Sequence, residues 1–236
     1  DLRDGTELLG LLRAFSTVSG DYWIRMFYCY PNSFTDEVLE VMASDPRFCR
    51  YLDMPFQHIS DPVLKKMNRK ITRKEIEATM SRVRSQLPDV AWRTTFIVGF
   101  PTETDQDFEE LVDFVSEGHF QHLGIFLYSD EDNIRSSKFG DPIPLSLKEE
   151  RKNRLMEIQQ KISREHHQKM VGSLQQVLVG GFSSETDLLL EGRNQYQGPE
   201  VDGVVYINEG NATSAGFHQV EITEAHEYDL VGKILN

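Results

Sequence analysis

What most constrains this chain is a unit repeated four times within residues 1–170: an apolar run of strand length followed by an amphipathic segment of helical period. "YWIRMFYCYP" (22–31) is rich in aromatic residues and ends at a proline, as a strand does. Behind it, "TDEVLEVMAS" sets Val38, Leu39 and Met42 at helical spacing after a Thr35 cap. "FCRYLDMPFQH" (48–58) reads as the second strand. The helix after it, "ITRKEIEATMSRVRSQLP", has Thr72 and Glu75 spaced as a capping box and Ile76, Met80, Val83 and Leu87 on one face. "RTTFIVGFPTETDQDFEELVDFV" (93–115) supplies the third strand and a helix that buries Phe108, Leu111, Val112 and Val115. "HLGIFLYS" (122–129) is the fourth strand, and a long helix runs from a Ser146/Glu149 capping box to about Met170.

Strands separated by helices of about ten or more residues pair in parallel through right-handed crossovers. Four such units specify a (β/α) barrel or an open doubly wound sheet. A helical segment, "GTELLGLLRAFS", precedes the first strand, and an intact barrel needs about 250 residues. The expectation is therefore that the sequence starts in mid-domain. At Val171 the rhythm changes: "SLQQVLVGGF", "TDLLLEG", "GVVYIN", "FHQVEITEA" and "YDLVGKIL" are five short strands broken by Gly, Asn and Pro. Five strands in so short a span suit a small antiparallel barrel of the OB type. The division expected is 1–170 for the α/β part and 171–236 for the small barrel.

Charge narrows the partners. Residues 171–236 hold two basic residues, Arg193 and Lys233, against ten acidic ones. A nucleic-acid-binding surface is basic, because neutralising phosphates drives its affinity. This segment is either a solvated acidic face or a surface that steers a basic partner. No apolar run approaches the roughly 18 residues of a membrane span, and residues 1–20 do not resemble a signal peptide. Cys29 and Cys49 are too few for a disulfide framework, which suggests a reducing cytoplasm.

In parallel α/β architectures ligands bind at the carboxyl ends of the strands. Here those ends are Tyr28-Cys29-Tyr30, "PFQHIS" with Gln57, His58 and Ser60, "GFPTET", and "YSDED". Gly99 would let a ligand approach the backbone, and Glu103 sits beside a helix start. The competing reading of Pro101–Thr104 is a strand stop with a helix cap through Thr104 and Asp107. His166 and His167, late on the long helix, read as solvated; Arg69-Lys70 reads as a surface pair or an anion clamp. The polar stretch 129–146 reads as a functional rim loop. No Gly-rich phosphate loop, zinc spacing or nucleophile elbow appears.

Three stretches, "YLDMPFQHISDPVLKKMNRKITR" (51–73), "WRTTFIVGFPTET" (92–104) and "HLGIFLYSDED" (122–132), resemble the radical S-adenosylmethionine methylthiotransferases. "EVDGVVYI" and "VEITEAHEYDLVGKI" resemble the TRAM module that closes those enzymes. "LDMPFQHIS" is similar to the branch that modifies a ribosomal protein, and the acidic last segment favours that branch over the tRNA-modifying one. The resemblance implies a partial TIM-like barrel with four of six strands, followed by TRAM. It implies attachment of a methylthio group to the β-carbon of an aspartate in ribosomal protein S-twelve, with no membrane and no direct nucleic-acid contact.

It also implies S-adenosylmethionine, cleaved to a deoxyadenosyl radical, and two four-iron, four-sulfur clusters. The family's C-x-x-x-C-x-x-C is absent, so the expectation is a C-terminal portion without metal ligands or catalytic residues of its own and inactive alone. By the resemblance, Ile97, Gly99 and Glu103 contact the adenosine part. Gln57 and Arg69 hold polar parts of the cofactor, with Arg25 as a further candidate. The chain departs from the family at Thr102, where Gly is usual, and at Asn133-Ile134, where Gly-Thr is usual. A non-catalytic acidic TRAM module that binds a basic protein is the competing reading from another class.

Overall fold

The computed structural model describes residues 7–131, 137–212 and 215–235. The expected departure at Asn133-Ile134 lies outside the described residues, as does the start of the first predicted helix. The chain opens with α1 (Leu8–Thr17), β1 (Ile24–Met26), α2 (Asp36–Ser44), β2 (Phe48–Asp53), α3 (Asp61–Lys66) and α4 (Arg73–Gln86). It continues through β3 (Ala91–Val98), α5 (Asp105–Ser116), β4 (His122–Leu127) and α6 (Leu145–Gln168). The four strands form one sheet in the order β1-β2-β3-β4, every pair parallel. This is the expected four-stranded portion of a (β/α) barrel.

The strand period of two divides the sheet into two faces. Trp92, Phe96 and Val98 of β3 join Phe48 and Leu52 of β2 in the core beneath the helices. Arg93, Thr95 and Ile97 lie on the other face, which would line the inside of a barrel. Aromatic rings fill the centre of the core: Phe120 lies 6.2 Å from Phe56, 5.8 Å from Phe96 and 5.7 Å from Phe114.

Two predicted caps form as complete boxes, Thr72 with Glu75 and Thr104 with Asp107, and Thr35 accepts from the Val38 amide. The Ser146/Glu149 box does not form. Pro144 is the cap residue of α6, because its carbonyl already accepts from the Leu147 and Lys148 amides, which leaves Ser146 inside the first turn. β1 is three residues long rather than ten, since Tyr28 turns to φ 53 and ends the extended run.

The remaining strands are β5 (Leu174–Phe182), β6 (Leu190–Arg193), β7 (Val205–Glu209), β8 (Gly216–Ala225) and β9 (Leu230–Ile234). They close a barrel in the order β5-β6-β7-β9-β8, with β8 returning to β5. One pair, β7 with β9, is parallel, so the barrel is mixed rather than wholly antiparallel. Val177, Val179, Val205, Ile207, Val220 and Ile222 fill its interior.

The β6–β7 connection packs against the lumen side of the sheet. Arg25 donates to the Asn194 carbonyl at 3.1 Å, the His122 ring meets the Tyr196 carbonyl at 2.7 Å, and Tyr51 donates to Asp202 at 2.7 Å. Among the described residues no helix is long and apolar enough to cross a membrane. Removing the central ring should be costly: Phe120→Ala is expected to destabilise the α/β part by about 3–5 kcal/mol, read as a lowered urea midpoint at unchanged slope.

Candidate cofactor site

At the carboxyl end of the sheet a cavity of about 620 Å³ opens, lined by Gln57, Arg69, Ile97, Lys66, Phe126 and Tyr128 among others. Three of the six residues predicted for cofactor binding thus share one pocket. Phe100 and Tyr128 line its floor, in an apolar cluster that also takes in Val63, Ile97 and Met67. Phe126 from β4 is 60% exposed, a large apolar surface offered to whatever enters.

The backbone here is held in unusual conformations. Tyr28, Gln57 and Asn68 have φ of 53, 75 and 58, in the left-handed region that non-glycine residues seldom adopt. Gln57 is over-determined: its amide donates to the Thr95 carbonyl at 2.8 Å, and its own carbonyl accepts from the Ile97 amide at 2.9 Å. These bonds continue the sheet past β2 and leave the side-chain amide at the pocket wall. Asn68 ends α3, and its turn carries Arg69 to the pocket, where one guanidinium nitrogen donates to the Pro55 carbonyl at 2.8 Å. Burial lowers the Arg69 pKa from its ordinary value, so an anion placed beside it would meet a poorly hydrated cation.

Gly99, Glu103 and Arg25 are placed differently. A side chain at Gly99 would collide with the Lys148 side chain, so the close approach that this glycine permits is made by a lysine of α6. The Gly99 amide donates to Glu103 Oε2 at 2.9 Å, and Arg151 of α6 donates to Glu103 Oε1 at 2.6 Å. Both partners of that ion pair are almost fully buried behind the elbow, with both Glu103 oxygens committed. Arg25 lies at the opposite end of the sheet, against the β6–β7 connection; burial lowers its pKa from the ordinary value.

His58, polar at a strand end, is fully buried, and its Nε2 stands 3.6 Å from Glu103. The Ser60 amide donates to His58 Nδ1 at 3.0 Å, and the Ser60 hydroxyl donates to Asp107. Burial alone would raise the Asp107 pKa, but hydrogen bonds from Ser60 and Thr104 hold it below the usual value. His58 and Ser60 therefore fasten the elbow from behind. His167, expected to be solvated, is buried, with its Nδ1 3.1 Å from the His226 carbonyl of the small barrel.

Sequence reasoning missed Lys148 and Arg151. Their signal was present but of the wrong chemical type: positions 148, 151, 155, 159, 163 and 167 of α6 are buried at helical spacing, and only Leu155 is apolar.

Comparison with known proteins gives the class. Residues 2–115 match the radical SAM superfamily and residues 171–235 match the TRAM domain. The proteins named ribosomal protein uS12 methylthiotransferase RimO from Desulfotalea psychrophila and Geobacter sulfurreducens are 45% and 41% identical over all of this chain. The protein of that name from Bdellovibrio bacteriovorus is 48% identical over 95% of it. The chain thus combines a radical SAM match with a TRAM match and is similar along its length to these methylthiotransferases. It spans about half the length of these curated relatives: 53%, 53% and 49%.

The two cysteines are unreactive by construction. Burial, then the Asp53 carboxylate, push the Cys29 thiol up to about 12; burial pushes Cys49 up to about 11, with Arg25 opposing. Both thiols are neutral at pH 8, and the thiolate is the nucleophile. In the native chain iodoacetamide should label neither at pH 8, with rates climbing only towards pH 11–12. Urea should expose both, as counted by mass spectrometry.

Proposed function

We propose that this chain supplies one wall of the S-adenosylmethionine site, and the TRAM domain, of an enzyme that attaches a methylthio group to the β-carbon of an aspartate in ribosomal protein uS12. One observation carries the reading: Gln57, Arg69 and Ile97, from three separate segments, converge on one cavity at the strand ends. The full-chain identity to relatives of that name supports it.

The residues present fit the cofactor's chemistry. Ile97, Phe126 and the Phe100–Tyr128 floor offer apolar surface to an adenine ring, while the Gln57 amide and the Arg69 guanidinium offer donors. Arg69 suits the carboxylate, since a guanidinium presents its donors in a planar fork. When bound, S-adenosylmethionine supplies the methyl group and, once reduced by one electron, the means to activate an unreactive C–H bond. The protein's part is to hold and orient the molecule and to shield it beneath Phe126.

Iron–sulfur clusters, which the family implies, do not fit this chain's own residues. Such clusters need several thiolates. The two thiols here are buried in different clusters, Cys29 in the main core and Cys49 beside Tyr51 and Ala91, and both are held neutral. Among the described residues no group of three ligating side chains converges. In this reading residues 1–170 hold the cofactor and residues 171–236 dock the substrate, and neither part supplies cluster ligands.

The ten carboxylates in residues 171–236 suit a basic ribosomal protein as substrate, recruited by electrostatic complementarity. Asp187 and Glu185 stand at the β5–β6 turn, where Leu188 is 88% exposed.

The test uses the longer protein, with uS12 as substrate and mass spectrometry to detect the methylthio product. Arg69→Ala should weaken S-adenosylmethionine binding by about 1.5–3 kcal/mol, roughly ten- to a hundredfold in Kd. Unchanged affinity in both Arg69→Ala and Gln57→Ala would refute the pocket assignment. Neutralising Glu185 and Asp187 together should weaken uS12 capture at low salt and flatten its salt dependence; capture indifferent to both would refute the docking role.

A further inference from the structure

We infer that Asp202, a residue of the TRAM domain, is a positioning residue for the carboxyl end of β1: through Arg93 and Asp53 it fixes the backbone of Tyr28.

The contacts form an unbroken series along the lumen side of the sheet. Asp202 lies in the β6–β7 connection, and its side chain is 2% exposed. Its Oδ2 accepts from Tyr51 and from the Gly198 amide, each at 2.7 Å; its Oδ1 stands 3.4 Å from Arg93 Nε and 3.4 Å from His122 Nδ1. Arg93 projects from β3 between two carboxylates, with Asp202 on one side and Asp53 on the other, where its Nη1 donates to Asp53 Oδ1 at 3.1 Å. Asp53 is 1% exposed, and its second oxygen accepts from the Tyr28 amide at 3.0 Å. Its backbone carbonyl accepts from the next amide, Cys29, at 2.8 Å.

A buried charge is tolerated when it is paired, and here each member fixes the next. Arg93 has one guanidinium to divide between Asp53 and Asp202. With the charge of Asp202 removed, the guanidinium is free to swing towards Asp53, and the Asp53 carboxylate loses the orientation that aims its other oxygen at Tyr28. Tyr28 depends on that bond. Its φ of 53 is disfavoured for an L-residue. The residue is 82% exposed, so side-chain packing contributes little to holding it. A carboxylate that served only to bind the two domains together would be satisfied by Tyr51 and the Gly198 amide. The pairing with Arg93 carries its influence across the sheet, from β3 through β2 to the carboxyl end of β1.

The experiment measures amide hydrogen exchange in this chain, without cofactor, so its outcome is independent of the S-adenosylmethionine reading. Asp202→Asn keeps the shape and the Gly198 contact but removes the charge. It should raise exchange at Tyr28 by about tenfold or more while 94–98 of β3 and 205–209 of β7 stay within about twofold. Tyr51→Phe, which removes the hydroxyl contact and leaves the ion pair, should leave Tyr28 within about twofold of the unaltered chain. Arg93→Lys, which keeps the charge but cannot bridge both carboxylates, should reproduce the selective rise, and it decides the matter if Asp202→Asn does not fold. A parallel rise in all three regions, or no change at Tyr28, would overturn the inference. Loss of Tyr28 protection in Tyr51→Phe equal to that in Asp202→Asn would overturn it too.

Discussion

The ion pair between Glu103 and Arg151 is the interaction on which the rest of this structure depends. It joins the elbow after β3 to α6 where water does not reach, so neither charge can be solvated by relaxing outward. Glu103 also accepts from the Gly99 amide, which fixes the turn that ends β3 and so the direction in which Ile97 faces. Arg151 extends to Asp105 at the start of α5, tying two helices to one strand end. A pocket wall built from loop residues gains its rigidity from such a fastening behind it.

The strained positions show where that rigidity is used. Among the described residues, four non-glycine positions have positive φ, and three of them, Tyr28, Gln57 and Asn68, stand at the carboxyl end of the sheet. The fourth, Glu200, is in the β6–β7 connection that docks on the lumen face. Backbone in sparsely populated conformations persists only where its surroundings over-determine it, and it concentrates at ligand sites. Gln57 meets that description through its two sheet-like hydrogen bonds.

Much of this architecture was legible in the sequence because it rests on apolar periodicity. The four parallel strands, the longer helices between them and the five-stranded barrel follow from it, while the capping boxes at Thr72 and Thr104 follow from the spacing of a hydroxyl and a carboxylate; the short α3 carries no such signal. The failures share one cause. Where a buried face is polar, periodicity of apolar residues does not report it: α6 buries Lys148, Arg151, Gln159, Ser163 and His167. That stripe looks like a solvated helix face, so His167 was misplaced and the partner of Glu103 went unseen. Gly99 is expected to let a ligand approach the backbone, but the group that approaches is a lysine from a helix some fifty positions away. Arg25 carries no local mark of which end of its strand it serves.

α6 has a mechanical consequence. It is a single helix of 24 residues, about 36 Å long at 1.5 Å per residue. It packs against β4 and α5 and reaches β8, and five residues separate it from β5. A rod so placed leaves only those five residues as a joint between the two domains. One residue inserted within it would turn everything beyond by roughly 100° and advance it by about 1.5 Å. The length of α6 is thus as strongly constrained as any residue in the pocket, although no single side chain records it. Drift in sequence can be absorbed along its outer face, but drift in length cannot.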